Sequence, residues 1–409
     1  MSVLDSGDHV VVVGAGLAGW RFVEGLRREG FNGRVSLIGE ESATPYDRPP
    51  LSKQVLSQKW APERTELASR DRLEELRVEF HGSVRARSLD VLNRLVHLES
   101  DESVAGTHVV IASGVRARQL KFSATHLVHT VRTVNDVTGL LDDLAQVAPG
   151  AQIAVIGGGF IGAEAATSLA ASGFRPVVLE AMVRPLFNVL GEEVSMWLSQ
   201  LANDASIELR CSQVISDVVE DKDQLRVLFE DGSSLLTPLV VLAVGAQVNT
   251  EWLETSGLEL RSGVVVDDHM RAREGIYAIG DVARFTWRHD PFVEELRIEH
   301  WQCANDHAQY LASSLMDPRD VSAPISMVPY FWSDQYGKKI QMLGHPAPSD
   351  SVQRVIGSDA EGKWLAIYSR DEVVTGLIGL NQPRALMVSR ELVADHVALS
   401  DALRQAPWQ

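Results

Sequence analysis

Cysteine is almost missing from this chain. The two that occur, Cys211 and Cys303, stand far apart among 409 residues, and no CxxC is present, which excludes a disulfide scaffold, a zinc ribbon and a dithiol redox motif. Long apolar runs are missing as well. The longest, Leu239 to Ala246, falls well short of the roughly 18–20 residues that span a bilayer. The opening MSVLDSGDHV has no basic segment leading into an apolar core, so no secretory signal is expected and a cytoplasmic location is the default. Positive charge is scarce, with 38 Lys and Arg against 55 Asp and Glu for a net charge of −17. Such a field repels phosphate backbones and anionic lipid, so neither nucleic acid nor a membrane surface is the expected partner. The 12 histidines show no HExxH or clustered ligand spacing, and no metal is expected.

What remains is 45% hydrophobic and 23% charged, the composition of an ordinary globular protein long enough for two to three domains. His9 to Val13 is a valine-rich run of the kind that forms a fully buried parallel strand. It breaks at once into Gly14, Gly16 and Gly19, a GxGxxG, and Leu17, Trp20, Val23 and Leu26 then recur at three-residue steps, as on one face of a helix. Val35 to Ile38 is the next strand, and Glu40 follows it about 20 residues beyond the last glycine. Gly14 permits the tight turn, Gly16 leaves room for a pyrophosphate, and Gly19 lets the helix pack closely. Glu40 is placed to accept from an adenosine ribose hydroxyl.

The same unit begins again. Ile153 to Ile156 leads into Gly157, Gly159 and Gly162, a helix is expected over Ile161 to Ser172, and Pro176 to Leu179 ends at Glu180. Two dinucleotide sites in one polypeptide imply two cofactors, most economically a bound flavin and an exchangeable nicotinamide between which hydride passes. A carboxylate at Glu180 accepts from a ribose 2′-hydroxyl and repels a 2′-phosphate, which favours NADH over NADPH. Arg184 would weaken that preference if it turned inward. After about Met316 the chain changes to proline-punctuated short strands around Phe331, Ile340 to Leu343, Leu365 to Tyr368 and Val373 to Leu380, the pattern of a separate C-terminal domain.

More specific strings accompany the glycines: PYDRPPLSK at 45–53, VIGGGFIGAE at 155–164, IYAIGDVA at 276–283, RIEHWQCAND at 297–306 and FWSDQYG at 331–337. With them the chain resembles, over nearly its whole length, the FAD-dependent NADH:ferredoxin reductases of bacterial oxygenase and cytochrome P450 systems, the putidaredoxin reductase and biphenyl dioxygenase reductase type. The resemblance implies an α/β fold with two Rossmann-like dinucleotide-binding domains in a glutathione-reductase-like arrangement, plus a C-terminal α+β domain. The expected boundaries are 1–115 with 246–320 for the FAD domain, 116–245 for the NAD domain and 321–409 for the C-terminal domain. It further implies noncovalent FAD, NADH as donor, and a two-iron two-sulfur ferredoxin that feeds an oxygenase or cytochrome P450.

At matching positions the resemblance implies FAD contacts from Gly14, Gly16, Ala18, Gly19, Glu40, Arg48, Lys53, Val84, Ala112, Gly114, Arg132, Asp281 and Trp301. NAD contacts are implied for Gly157, Gly159, Ile161, Gly162, Glu180 and Gly245. Lys53 is expected near the flavin N5 and O4 edge, paired with Glu164, as electrostatic support for the electron-rich ring. Asp281 is expected to hydrogen-bond the ribityl chain, Trp301 to stack on or shield the ring, and Trp332 to face it from the C-terminal domain. Two departures stand out. Ser113 replaces a threonine common in the family, and Val248 with Asn249 replaces a proline–asparagine pair, which is expected to loosen the loop that follows Gly245. No cysteine lies between Leu51 and Gln58, where disulfide- and peroxide-reducing relatives carry theirs, so Cys303 is expected to be a small buried residue. An acidic ferredoxin would need a local basic face, for which Arg70, Arg72, Arg77, Lys338 and Lys339 are the candidates. Two other readings are a flavoprotein redox sensor that responds to NADH and an NADH oxidase.

Overall fold

The valine run His9–Val13 is buried along almost its whole length, as its lack of polar alternation requires of a strand covered on both faces. In the computed structural model, which describes residues 3–289, 292–317 and 324–409, it lies at the centre of a six-stranded sheet. The order is Arg271–Arg273, Ile276–Ala278, His108–Ile111, His9–Val13, Arg34–Ile38 and Val78–His81. Every pairing is parallel except that of the first two strands. The chain divides into two compact units, and this sheet belongs to the first, formed by Met1–Asp47, Glu66–Arg116 and Val248–Tyr330.

Helix Leu17–Arg28 buries Trp20, Phe22, Val23 and Leu26, so three of the four apolar positions spaced in the sequence form its inner face and Leu17 is only partly covered. It packs on helix Trp301–Met316 so closely that a Cβ on Gly25 would lie 2.8 Å from the Cβ of Ala312. A separate three-stranded sheet, Ala86–Asp90, Leu95–Leu98 and Ser103–Ala105, is formed within the Glu66–Arg116 segment of this unit.

The second unit comprises Arg48–Thr65, Ala117–Gln247 and Phe331–Gln409. Its parallel sheet runs Glu208–Arg210, Arg175–Leu179, Gln152–Ile156, Val240–Leu242 and Val128–Thr130, with helix Phe160–Ala171 following the central strand. After Pro50 the chain makes a single wide turn, Leu51–Val55, in which Leu56 N–H reaches the Leu51 carbonyl.

A five-stranded antiparallel sheet, ordered Tyr330–Gln335, Lys338–Gly344, Val373–Leu380, Lys363–Arg370 and Ser351–Ser358, forms most of the C-terminal segment. Its core side chains Ile340, Trp364 and Tyr368 pack with Leu190, Val194 and Leu198 of helix Phe187–Asp204. That helix breaks at Gly191, whose φ of 79° suits glycine and whose absent Cβ would lie 2.6 Å from the Pro348 carbonyl oxygen. The Tyr368 hydroxyl donates to the Leu190 carbonyl freed beside this break. The domain boundary expected at residues 320 and 321 lies outside the described residues.

Candidate functional site

In the first unit the strand His9–Val13 ends at Gly14, whose φ is +121° and whose hypothetical Cβ would lie 2.1 Å from the Ala112 carbonyl oxygen. Gly19 is equally constrained, with a Cβ 2.0 Å from the Gly14 carbonyl oxygen. Gly16 differs: nothing lies within 4 Å of its Cβ direction. It is the N-cap of Leu17–Arg28, no side chain caps the helix, and no acid occupies the first turn. Uncapped N–H donors, the positive end of the helix dipole and open space in front of them are what a pyrophosphate needs. These residues therefore fit a dinucleotide.

Several of the remaining FAD candidates of this unit lie near that helix start. Gly280, with φ +70°, packs its Cα side against Ala18, leaving 2.7 Å between a hypothetical Cβ and the Ala18 Cβ. This brings Asp281 beside the glycine turn. Ala112 N–H donates to the Val13 carbonyl, and Val84 N–H donates to the Gly39 carbonyl next to Glu40. Trp301 donates its indole N–H to Asp47, at 2.6 Å. Glu40 is engaged by a residue the sequence did not single out, Arg85, whose Nε is 2.8 Å from a Glu40 oxygen. Arg85 thus pairs, at an exposed position, with the carboxylate expected to meet the ribose.

The loop after Gly245 is held at Asn249 rather than loosened. Asn249 donates its side-chain amide to the Ser113 carbonyl at 2.8 Å, Ser113 Oγ donates to the Asn249 carbonyl at 2.9 Å, and Asn249 N–H reaches the Gly114 carbonyl. The reciprocal bonds do not need the missing proline.

In the second unit Gly157, Gly159 and Gly162 repeat the arrangement. Gly157 has φ +102° and a Cβ position 2.3 Å from the Ala243 carbonyl oxygen, and Gly162 would place a Cβ 1.9 Å from the Gly157 carbonyl oxygen. Gly159 has open space before it and is the N-cap of an uncapped, acid-free helix start. Ile161 in the first turn is exposed, and Gly245 adopts φ +91° with open space around it. Glu180 accepts from Gly158 N–H with one oxygen and from Met182 N–H with the other, both at 2.8 Å. The carboxylate is thus oriented by backbone donors beside the glycine cradle. Arg184 pairs with Glu192 at 3.2 Å, which accounts for its guanidinium without a nucleotide phosphate.

The PYDRPPLSK loop contributes Arg48 and Lys53 to this second unit. Arg48 donates to the Arg132 carbonyl at 2.8 Å. Lys53 Nζ is 2.6 Å from Glu164 Oε2, with the two side chains only 12% and 3% exposed. The same oxygen accepts from Ser52 Oγ, and Glu164 Oε1 accepts from Ser333 Oγ and the Asp334 N–H. Four donors therefore satisfy one buried carboxylate. Ser333 lies on the inward face of Tyr330–Gln335 with Phe331 and Gln335, so Trp332 falls on the opposite face of that strand. The FAD candidates are accordingly distributed over both units, Arg48, Lys53 and Arg132 in the second and the others in the first.

Cys211 and Cys303 are both free thiols, half-buried and buried respectively. Burial, and to a lesser degree the nearby Asp281 and Asp306 charges, pushes the Cys303 thiol well above its usual range, the opposite of an activated nucleophile. No group of three or more potential metal ligands is found among the described residues, and no described helix is long and apolar enough to cross a membrane.

The sequence matches the family model for pyridine nucleotide-disulphide oxidoreductases over residues 8–308 and a reductase C-terminal model over 330–406. It is 32% identical to the ferredoxin–NAD(+) reductase subunit of the benzene 1,2-dioxygenase system of Pseudomonas putida, covering 96% of this chain and 94% of the relative. It is 31% identical to rhodocoxin reductase of Rhodococcus erythropolis, covering 96% and 90%. Among solved structures, the ferredoxin reductase of the CYP199A2 system from Rhodopseudomonas palustris superposes with TM-score 0.90 at 30% identity, covering 98% of this chain and 100% of the other. Putidaredoxin reductase in its covalent complex with putidaredoxin superposes with TM-score 0.90 at 27% identity, covering 98% of each chain.

Proposed function

Since the chain belongs to the pyridine nucleotide-disulphide oxidoreductase family, we propose that it is a flavoprotein NADH:ferredoxin reductase. In this reading it moves hydride from NADH to noncovalent FAD and then delivers two single electrons to a two-iron two-sulfur ferredoxin of an oxygenase or cytochrome P450 system. The observation that carries the reading is the duplicated cradle, two uncapped helix starts each with a minimal glycine at its mouth. A bound flavin supplies the conversion between a two-electron donor and a one-electron acceptor. Dithiol chemistry lacks its residues, since both cysteines are free and neither lies in the PYDRPPLSK loop. Relatives that match nearly the full length are named as reductases of ferredoxins, which supports the acceptor.

Within that reading Gly14, Gly16, Ala18, Gly19, Glu40, Val84, Ala112, Gly114, Asp281 and Trp301, with Arg48 and Arg132, hold FAD. Gly157, Gly159, Ile161, Gly162, Glu180 and Gly245 hold NADH. Lys53, its ammonium held by Glu164, is the cation placed to support the electron-rich ring. The domains proposed are 1–115 with 246–320, 116–245 and 321–409. Glu180 favours NADH because a second negative group beside a fixed carboxylate is repelled. A donor drawn from the NADH pool and two free cysteines suit the reducing cytoplasm.

Anaerobic mixing of the FAD-loaded protein with NADH should bleach the flavin band quickly. Reoxidation should be slow with oxygen and fast with a suitable ferredoxin, read as cytochrome c reduction across a panel of ferredoxins. A reduced enzyme indifferent to every ferredoxin but fast with oxygen would sink the acceptor assignment and favour the oxidase reading.

The charge of −17 opposes an acidic partner, so docking depends on local cations. Arg72 is paired with Glu75, and Arg77 donates to Asn32. Lys338 and the exposed Lys339 adjoin FWSDQYG, with Lys339 3.5 Å from Asp334. Reversing both, Lys338→Glu with Lys339→Glu, should raise the ferredoxin KM several-fold, more at low salt than at high salt, and leave NADH oxidation by ferricyanide intact. An unchanged ferredoxin response would remove these lysines from the docking face.

A further inference from the structure

Helix Trp301–Met316 carries a histidine that the reaction does not use. His307 is fully buried, 0% exposed, packed with its ring edge-on to Phe285 at 4.7 Å between centroids. Its Nδ1 accepts from the Gly280 N–H at 3.2 Å. Because Nδ1 is the acceptor, the ring proton resides on Nε2, which faces Cys303 Sγ at 3.3 Å. The ring is therefore neutral and singly oriented, and each ring nitrogen has one partner.

Gly280 is the first residue beyond strand Ile276–Ala278 and its short extension. Ile279 N–H still reaches the Ile111 carbonyl across the sheet, whereas Gly280 N–H has left the ladder and finds its acceptor in the histidine. The turn Gly280–Val282 is tight, with Gly280 at φ +70° and no room for a Cβ against Ala18. The next residue is Asp281.

We propose that His307 is a positioning residue for FAD: its Nδ1 holds the Gly280 N–H, and through it the turn that presents Asp281 beside the first turn of the glycine-motif helix. This rests on the reading of Asp281 as an FAD contact. A histidine present only to fill volume would need no acceptor at Nδ1, and an apolar side chain of similar size would replace it without cost. Here the removal of Nδ1 strands a buried backbone donor at the one point where the sheet hands over to the cofactor turn. Burial lowers the ring's proton affinity, to a pKa of about 3, so Nδ1 remains an acceptor across the neutral range.

Two substitutions separate acceptor from volume. His307→Leu keeps most of the volume and removes the acceptor, while His307→Asn loses volume but keeps an oxygen where Nδ1 stood. Apo-protein prepared from each is titrated with FAD, alongside Asp281→Ala, and the flavin midpoint potential of the reloaded proteins is recorded. Expected are roughly tenfold weaker FAD binding and a displaced potential for His307→Leu, as for a lost buried hydrogen bond, with both restored toward the parent in His307→Asn despite its lower thermal stability. If affinity and potential instead follow volume, the leucine variant resembling the parent and the asparagine variant impaired, His307 is core packing and the proposal fails. Parent-like FAD binding by Asp281→Ala would overturn the Asp281 reading itself, a result distinguishable from failure of the histidine arm alone.

Discussion

Replacing Glu164 by alanine is expected to destabilise the second unit by about 3–5 kcal/mol, the cost of leaving one partner of a buried ion pair without the other. The size follows from the geometry. Lys53 is mostly buried, and its ammonium lies 2.6 Å from the carboxylate. Ser52, Ser333 and the Asp334 N–H lose the same acceptor in one step. Three segments far apart in sequence, the PYDRPPLSK loop, helix Phe160–Ala171 and strand Tyr330–Gln335, are held by one side chain. Glu164→Gln keeps the shape and some hydrogen bonds but leaves the ammonium uncompensated, so it should fall between parent and alanine variant. The double variant Lys53→Met with Glu164→Leu removes both charges and should recover much of the loss. Urea unfolding of the parent, Lys53→Met, Glu164→Leu and the double variant completes a double-mutant cycle that measures the coupling. Additive losses would mean that the pair contributes nothing beyond its two separate side chains. In the FAD-loaded enzyme the double variant serves a second purpose. If it is stable yet slow to be reduced by NADH, the charge of Lys53 matters to the reaction and not only to the fold.

The elements that could be read from the sequence are those whose signal is local. A buried parallel strand, a glycine turn, a helix and an acid about 20 residues on are all contained in one stretch, and both copies lie within a residue or so of their expected ends: helix Phe160–Ala171 against Ile161 to Ser172, strand Arg34–Ile38 against Val35 to Ile38. Strand Ser351–Ser358 has no local signal of this kind, because it is the edge strand of its sheet and carries Gln353, Arg354 and Ser358 in place of an apolar run. The helices Pro383–Val388, Arg390–Ala394 and Leu399–Gln405 run for less than two turns each, too short to show the i, i+3, i+4, i+7 recurrence that marks an amphipathic helix.

Side-chain partnerships were the least legible part of the site. Arg85 meets Glu40 only because Val84 N–H joins the Gly39 carbonyl and carries the next residue alongside. Asn249 meets Ser113 across more than a hundred residues, and His307 meets Gly280 because two elements pack against one sheet. Nothing in residue type or spacing encodes such meetings; they follow from the register of the folded sheet. The sequence motif names the residue that touches a ligand, and the tertiary structure supplies the residue that holds it still.

Gly159→Asp is expected to abolish useful NADH binding while leaving the fold intact. Gly159 has φ −70° and ψ −174°, an extended conformation open to any residue, and no atom lies within 4 Å of its Cβ direction. Aspartate at an N-cap accepts from the free N–H groups of the first turn and complements the helix dipole, so stability should hold or rise slightly. That same carboxylate occupies the space and the donors a pyrophosphate would use, and adds a negative charge where a second one must come. The apparent NADH affinity should fall by about 100-fold or more, equivalent to roughly 3 kcal/mol at 1.4 kcal/mol per decade. The variant should keep its FAD and its reduction by dithionite. Gly162→Ala provides the contrast, because its Cβ would lie 1.9 Å from the Gly157 carbonyl oxygen and must displace backbone, so NADH binding and thermal stability should fall together. Gly16→Asp, made at the equivalent N-cap of the first unit, should reverse the pattern by emptying the protein of FAD while NAD(H) still binds the apo-protein, read by calorimetry. If Gly159→Asp instead lost FAD and retained NADH affinity, the two cradles would have to exchange their cofactors.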